Sequence, residues 1–149
     1  MEIKELGHLV LYVKDLEKSI YFYEKILGWK KIDGPMNFPA AAFTSGRTHH
    51  ELLLIEVGDK AKPVERGHRL GLYHFGLKIG DSDQELRDAL IFLEKHNVPI
   101  IGATDHTVSH SLYIEDPDGN EIELYVDVPG VDWKKDPHLV LSPSKGLYL

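Results

Sequence analysis

The chain nearly repeats itself, and a histidine stands near the start of each copy. The first copy opens with GHLVLYVKD and the second with YHFGLKIGD. A shift of 66 positions places His8 on His74 and Asp15 on Asp81. A duplicated strand–helix unit that sets one imidazole in each half suggests a single metal ion held between the two halves.

Each copy begins with a predicted strand and a predicted helix. Alternating apolar residues indicate a strand over 6–13, with Leu11 on one face and His8 on the other. Asp15 is a suitable N-cap for a helix over about 16–27, where apolar residues recur at helical spacing until a glycine ends it.

Short strands and a hairpin complete the two copies. The remaining strands of the first copy are predicted near 29–33, 40–46 and 50–57. The strand, helix and three strands of the second copy are predicted near 71–79, 82–96, 99–104, 109–115 and 121–127. The last two strands form a hairpin, because the DPDGN segment between them is a strong turn signal.

The predicted fold class is therefore α+β, with two βαβββ modules inside a single domain of 1–149. The modules span about 4–58 and 70–128, and a charged, Gly- and Pro-containing segment, 58–69, links them. Two such modules side by side are expected to curl their strands into a shared cup with the helices outside. On the period-two pattern, His8 and His74 point into that cup.

Composition excludes several classes of partner and site. The net charge of -7 leaves no basic stripe for a nucleic acid and argues against binding to an anionic membrane surface. The absence of cysteine excludes disulfides and thiolate metal sites. There is neither the apolar run of a signal peptide nor a stretch of about 20 apolar residues, so we expect a cytoplasmic protein.

The second hairpin supplies an anionic ligand to accompany the two imidazoles. Glu121 and Glu123 share a strand face, and Glu123 lies farther from the turn. Two histidines and one carboxylate with open positions suit non-haem Fe(II), with Mn(II) or another divalent metal as alternatives. The predicted metal ligands are therefore His8, His74 and Glu123.

Three further residues are candidates for catalysis. His50 opens a strand, His106 lies in the loop before the hairpin, and Tyr113 has the same strand parity as Glu123. If Glu115 and Glu121 flank a five-residue turn, Tyr113 lies directly across from Glu123. Taken singly, each of the three is also explained as a packing or surface residue, and four other histidines are expected at the surface: His68, His96, His110 and His138.

The chain resembles the vicinal-oxygen-chelate superfamily, which includes glyoxalase I, bleomycin-resistance proteins, fosfomycin-resistance enzymes and extradiol dioxygenases. The resemblance covers about residues 6–127 and depends on the segments GHLVLYVKDLEKSIYFYEKILGW, LYHFGLKI and YIEDPDGNEIELY. Within the superfamily, the chain is most similar to the extradiol ring-cleavage dioxygenases.

This resemblance implies Fe(II)-dependent cleavage of a small catechol-like aromatic substrate with O2. The family's metal ligands correspond to His8, His74 and Glu123, and its acid–base histidine corresponds to His50. Its active-site tyrosine corresponds to Tyr113, and its second active-site histidine to His106.

Further expectations concern the substrate, the tail and the assembly. Val10, Tyr12, Phe43 or Leu52 are candidates for apolar walls around the ring. Family members often have two double modules, so we expect a homodimer or a higher homo-oligomer. The tail 129–149 departs from the repeat, and we expect it to cover the cup mouth or to contribute to a dimer.

Rival functions remain open at this point. A glyoxalase I- or epimerase-like lyase or isomerase usually has a second glutamate ligand, for which Glu51 and Glu56 are the candidates. A non-enzymatic drug-binding resistance protein needs no metal ligands. Thiol transfer to an epoxide also uses two histidines and a glutamate, but does not call for His50 and Tyr113 together.

Overall fold

The structure, a computed structural model, describes all 149 residues. They form two compact units, unit 1 (Met1–Val64) and unit 2 (Glu65–Leu149). The boundary falls within the segment 58–69 that was predicted to link the two copies.

Unit 1 contains a four-stranded sheet and a short helical segment. Its elements are β1 (Leu9–Val13), α1 (Leu16–Tyr21), a π-helical turn (Phe22–Ile26), β2 (Lys30–Lys31), β3 (Ala40–Thr44) and β4 (Leu52–Glu56). The strand order is β1-β4-β3-β2, and β1 runs parallel to β4.

Unit 2 contains a five-stranded sheet and a longer helix. Its elements are β5 (His74–Gly80), α2 (Asp83–Lys95), β6 (Ile100–Asp105), β7 (Ser109–Glu115), β8 (Glu121–Asp127), a 3-10 helix (Pro137–Leu141) and β9 (Lys145–Gly146). The strand order is β5-β8-β7-β6-β9, and β5 runs parallel to β8. Without β9 this order repeats that of unit 1, so the predicted α+β fold with two βαβββ copies is confirmed.

The helix predicted over 16–27 changes character halfway. Asp15 caps α1 by accepting a hydrogen bond of 3.1 Å from the Lys18 N–H. After Tyr21 the helix widens into the π-helical turn, in which the Leu27 N–H donates a hydrogen bond of 3.0 Å to the Phe22 carbonyl. Regular apolar spacing does not reveal this widening, which accompanies burial of the consecutive residues Phe22 and Tyr23.

The strand predicted over 6–13 begins at Leu9, because its parallel partner β4 begins at Leu52. His8 therefore lies just before the ladder. The predicted faces are correct: Leu11 and Val13 are buried, whereas Tyr12 is exposed.

The hairpin of unit 2 has the predicted strand bounds and the predicted five-residue turn. Asp116 fixes that turn, since its Oδ1 accepts hydrogen bonds from the N–H groups of Asp118 and Asn120 at 3.0 and 2.8 Å. Gly119 takes a φ of 86°, which favours glycine. The register that follows places Tyr113 opposite Glu123.

The end of the tail is part of unit 2. Lys145 and Gly146 pair with the edge of β6, and Leu147 and Leu149 pack against the buried core cluster of that unit. Apolar burial and strand pairing thus hold the last residues in place. No helix in the chain combines the length and the apolar character that a bilayer span requires.

Three of the four histidines expected at the surface are exposed, and the fourth, His110, is not. His110 is partly buried, and its Nδ1 lies 2.6 Å from Asp83 Oδ1 at the start of α2. Its parity in β7 matches that of the buried Leu112, so His110 lies on the helix-facing side of the sheet and not beside Glu123.

Candidate metal centre

Two of the predicted metal ligands, His74 and Glu123, meet in unit 2. Their strands β5 and β8 are hydrogen-bonded neighbours, and His74 Nε2 lies 3.3 Å from Glu123 Oε2. The other ring nitrogen, Nδ1, is buried without a hydrogen-bond partner and lies 3.4 Å from Glu121 Oε1. The imidazole therefore presents one nitrogen to each carboxylate.

The two oxygens of Glu123 have different surroundings. Oε1 accepts a hydrogen bond of 2.6 Å from the buried Ser111 hydroxyl and one of 3.3 Å from the Tyr113 hydroxyl. Oε2 is the oxygen closest to His74 Nε2. Two donors thus orient the carboxylate and leave its second oxygen directed at the imidazole.

Tyr113 connects Glu123 to His106. The Tyr113 hydroxyl lies 2.7 Å from His106 Nε2, and that nitrogen lies 3.7 Å from Glu123 Oε1. With Nε2 protonated, His106 donates to Tyr113, which donates to Glu123. Burial raises the pKa of the Tyr113 hydroxyl, and the charge of Glu123 raises it further, so this hydroxyl keeps its proton.

A tight turn between β6 and β7 presents His106 to Tyr113. Thr107 has a φ of 72°, an unusual conformation for a β-branched residue. Asp105 stabilises the turn, because its Oδ1 accepts a hydrogen bond of 2.7 Å from the Thr107 N–H. Backbone strain at Thr107, of the order of 1–3 kcal/mol, accompanies the placement of His106 next to Tyr113.

The third predicted ligand, His8, lies in unit 1 among other histidines. Its exposed ring lies 4.5 Å from that of His50 and 6.4 Å from that of His49, measured between centroids. Burial lowers the pKa of His50, and the neighbouring His49 and His8 lower it further. His49 and His50 also contact each other through their Nδ1 atoms.

Both glutamates considered as a fourth ligand are engaged within unit 1. Glu51 is buried, and its carboxylate accepts hydrogen bonds of 2.9 and 2.7 Å from the N–H and hydroxyl of Ser45. Burial raises the pKa of Glu51, but the hydrogen bonds from Ser45 outweigh burial and lower it to about 2. Glu56 accepts a hydrogen bond of 2.8 Å from the Leu16 N–H at the start of α1.

The pair His74 and Glu123 fits a divalent metal ion. Two ligand atoms that bind one ion at about 2.1 Å lie about 3.0–3.4 Å apart, and the observed separation of 3.3 Å falls in that range. A carboxylate such as Glu121 beside the second ring nitrogen is a common companion of metal-bound histidine. Within either unit, no three His, Asp or Glu side chains are grouped to hold an ion, so His8 as a third ligand stays a prediction.

Two features of this region differ from the sequence expectations. Ser111 was missed, although it shares the parity of Tyr113 and lies one pleat away on the same strand face. The expectation that Phe43 or Leu52 forms a wall for a ring is wrong, since both are fully buried in the core of unit 1. Val10 and Tyr12, on the opposite face, are exposed.

Comparisons with known proteins agree with this fold. A family model described as the Glyoxalase/Bleomycin resistance protein/Dioxygenase superfamily matches residues 5–124. A solved glyoxalase/dioxygenase structure from Nostoc punctiforme aligns with a TM-score of 0.68 at 22% identity, over 83% of this chain and 91% of that one.

Two relatives are more similar in sequence. Catechol-2,3-dioxygenase of Bacillus subtilis is 36% identical over 138 residues, which cover 91% of this chain and 46% of that protein. A virulence protein of Salmonella typhimurium is 32% identical over 124 residues, which cover 83% of this chain and 85% of that protein. The chain thus spans about half the length of the dioxygenase and most of the length of the virulence protein.

Proposed function

Because the chain belongs to the Glyoxalase/Bleomycin resistance protein/Dioxygenase superfamily, we propose that it is an extradiol dioxygenase that cleaves a catechol-like ring with O2. His8, His74 and Glu123 would bind one Fe(II) ion. The observation that carries the proposal is the carboxylate of Glu123, which Ser111 and Tyr113 hold on one oxygen while the other faces His74.

The reaction needs no oxidant other than O2. One ring carbon–carbon bond breaks beside a hydroxyl-bearing carbon, and both atoms of O2 enter the product. When bound, Fe(II) supplies open positions for the substrate oxygens and O2 and lowers the pKa of the substrate hydroxyl. The remaining tasks are to position the ring and to move protons.

Tyr113, His106 and His50 are suited to those tasks. The neutral Tyr113 hydroxyl has one proton, which it would donate to a bound substrate oxygen in place of Glu123. His106, 2.7 Å away, holds that hydroxyl in place. His50 accepts the proton that the substrate hydroxyl loses and returns it to the product, as general acid–base catalysis requires. The roles of Tyr113 and His50 are those that the sequence resemblance implies, and the contact of His106 with Tyr113 adds a role for that histidine.

The face of the unit 1 sheet on the His8 side suits an aromatic substrate. Its side chains are apolar and partly or largely exposed on Val10, Tyr12, Ala40, Ala42, Leu53 and Ile55. A flat ring packs well against such a surface, and apolar burial contributes about 25 cal/mol per Å² to its binding. This face therefore favours an uncharged aromatic over a small polar substrate.

The isomerase alternative is less well supported. It calls for a second glutamate ligand, and both candidates already have structural partners: Glu51 binds Ser45, and Glu56 binds the first N–H of α1. Thiol transfer uses the same three ligands but gives no role to the contact between His106 and Tyr113. A metal-free binder has no use for the alignment of His74 with Glu123.

The proposal is tested by anaerobic reconstitution with Fe(II), followed by mixing with O2 and a series of catechols with alkyl and aryl substituents. We expect a ring-cleavage absorbance band and one O2 consumed per product. His74→Ala should abolish both, whereas His138→Ala, an exposed histidine of the tail, should leave them unchanged. Absence of product with every catechol would overturn the proposal. The homo-oligomer and the cytoplasmic location stay predictions.

A further inference from the structure

His8 lies outside the part of the sheet that would hold it in place. The ladder of β1 and β4 begins with the pair Leu9 and Leu52, one residue after His8. The side chain of His8 is exposed, and the residues before it form no regular element. Ladder hydrogen bonds therefore do not fix the backbone on the N-terminal side of this histidine.

Arg47 supplies the missing contacts. Its Nη2 donates hydrogen bonds to the carbonyl oxygens of Leu6 at 3.1 Å and Gly7 at 3.0 Å, the two residues directly before His8. On the other side, the Leu9 N–H donates to the Glu51 carbonyl at 2.8 Å. The backbone of His8 is thus held from both directions.

The guanidinium of Arg47 is itself anchored. Its Nη1 lies 3.0 Å from Glu5 Oε2, and its Nε lies 3.6 Å from Glu51 Oε1. Glu51 is buried and receives two hydrogen bonds from Ser45. A planar guanidinium with several fixed donors can bind carbonyls and carboxylates at once, which a lysine ammonium does less well.

Unit 2 makes a related contact by a different route. Arg69 Nη1 donates a hydrogen bond of 2.7 Å to the carbonyl of Leu72, the residue that matches Leu6 under the repeat shift. The two arginines do not match each other under that shift. His74 itself pairs with Glu121 in the β5–β8 ladder, so unit 2 depends less on its arginine.

We propose that Arg47 is a positioning residue that fixes the backbone of His8, and through it the place of the His8 imidazole. The expected effect of Arg47 on metal binding by His8 rests on the function proposed above. The effect of Arg47 on the rigidity of the His8 backbone does not, and it can be measured without any metal.

The first experiment is ¹⁵N relaxation of the metal-free protein. In the wild type we expect a backbone order parameter near the rigid value of about 0.85 at His8. Arg47→Ala should lower it toward about 0.6 and leave Leu52 unchanged. Arg87→Ala, an exposed arginine of α2, is the control. A rigid His8 in Arg47→Ala would overturn the inference.

The second experiment is titration of the same proteins with Mn(II). Arg47→Ala should raise the dissociation constant for Mn(II) by about 10-fold, and Arg47→Lys should raise it by less. Arg87→Ala should leave it unchanged, and all variants should have similar melting temperatures. Equal affinity in wild type and Arg47→Ala would overturn the role in metal binding. If the wild type binds no metal while His8 becomes mobile in Arg47→Ala, the proposed function fails and the backbone role of Arg47 stands.

Discussion

In unit 2 the sheet face around His74 is polar, whereas the matching face of unit 1 is apolar. The equivalence follows from strand pairing: Leu9 pairs with Leu52 in unit 1, and Phe75 pairs with Ile122 in unit 2. The shift of 66 positions matches Leu9 with Phe75. Their strand partners, Leu52 and Ile122, therefore occupy equivalent places in the two sheets. Each neighbouring position can then be matched in the same way.

At three matched positions unit 2 has a polar side chain and unit 1 has an apolar one. Leu53 stands where unit 2 has Glu123, and Ala42, its partner in β3, stands where unit 2 has Tyr113. The position of Ser111 is taken by Ala40. Duplication thus provided two similar frames, of which one carries an oriented carboxylate and the other an apolar surface with His8 at its end.

Replacing Tyr113 by phenylalanine sharpens the comparison most, because it gives unit 2 an apolar residue where unit 1 has one. Loss of the hydroxyl, which donates to Glu123 and would donate instead to a bound substrate, should lower kcat/KM by about 100-fold, with metal content unchanged. Steady-state O2 consumption with the best catechol measures this. Tyr21→Phe, on the exposed side of α1, is the control. Full activity in Tyr113→Phe would show that the network is structural only.

Replacing Glu51 by glutamine tests the buried carboxylate that Ser45 binds in unit 1. Loss of the charged acceptor of Ser45 should destabilise the protein at pH 7 by about 2 kcal/mol. The lowered pKa of Glu51 contributes stability that is complete above about pH 4.5 and is lost as the pH falls toward about 2.

Chemical denaturation between pH 7 and pH 2 measures this effect. The wild type should lose stability more steeply below about pH 4.5 than Glu51→Gln. Glu94→Gln, in the exposed part of α2, should follow the wild type. Parallel curves for the wild type and Glu51→Gln would contradict the assigned contacts.

Replacing Ser111 by alanine, the residue that unit 1 has at the matching position, is the mildest change. Glu123 keeps its bond from Tyr113 but loses the shorter bond of 2.6 Å. We expect Mn(II) binding to weaken by about 10-fold in a calorimetric titration. Ser109→Ala, on the same strand, is the control, and unchanged affinity in Ser111→Ala would remove Ser111 from the site.

The sequence predicted most of the hairpin, because its turn fixes its register locally. Asp116 binds the N–H groups of its own turn, so the strand bounds and the position of Tyr113 opposite Glu123 followed from nearby residues alone. The parity of β1 was equally predictable, since burial of Leu11 and Val13 sets it.

Contacts between distant residues were not predictable in the same way. Arg47 donates hydrogen bonds to the carbonyls of Leu6 and Gly7 from a distant part of the sequence of unit 1. No local sequence pattern indicates such a contact. The π-helical turn depends on how Phe22 and Tyr23 are buried, which apolar spacing alone does not specify. Ser111 could not be predicted as a site residue, because a single serine on a strand has no distinctive spacing.

The central proposal is that His8, His74 and Glu123 bind one metal ion. The direct test is the metal content of protein purified without oxygen, for wild type, His8→Ala and His74→Ala, by elemental analysis per chain. The account predicts one Fe or Mn per chain in the wild type and loss of most of it in both variants. Metal retained at one per chain in His8→Ala would contradict it, because unit 2 alone would then hold the ion.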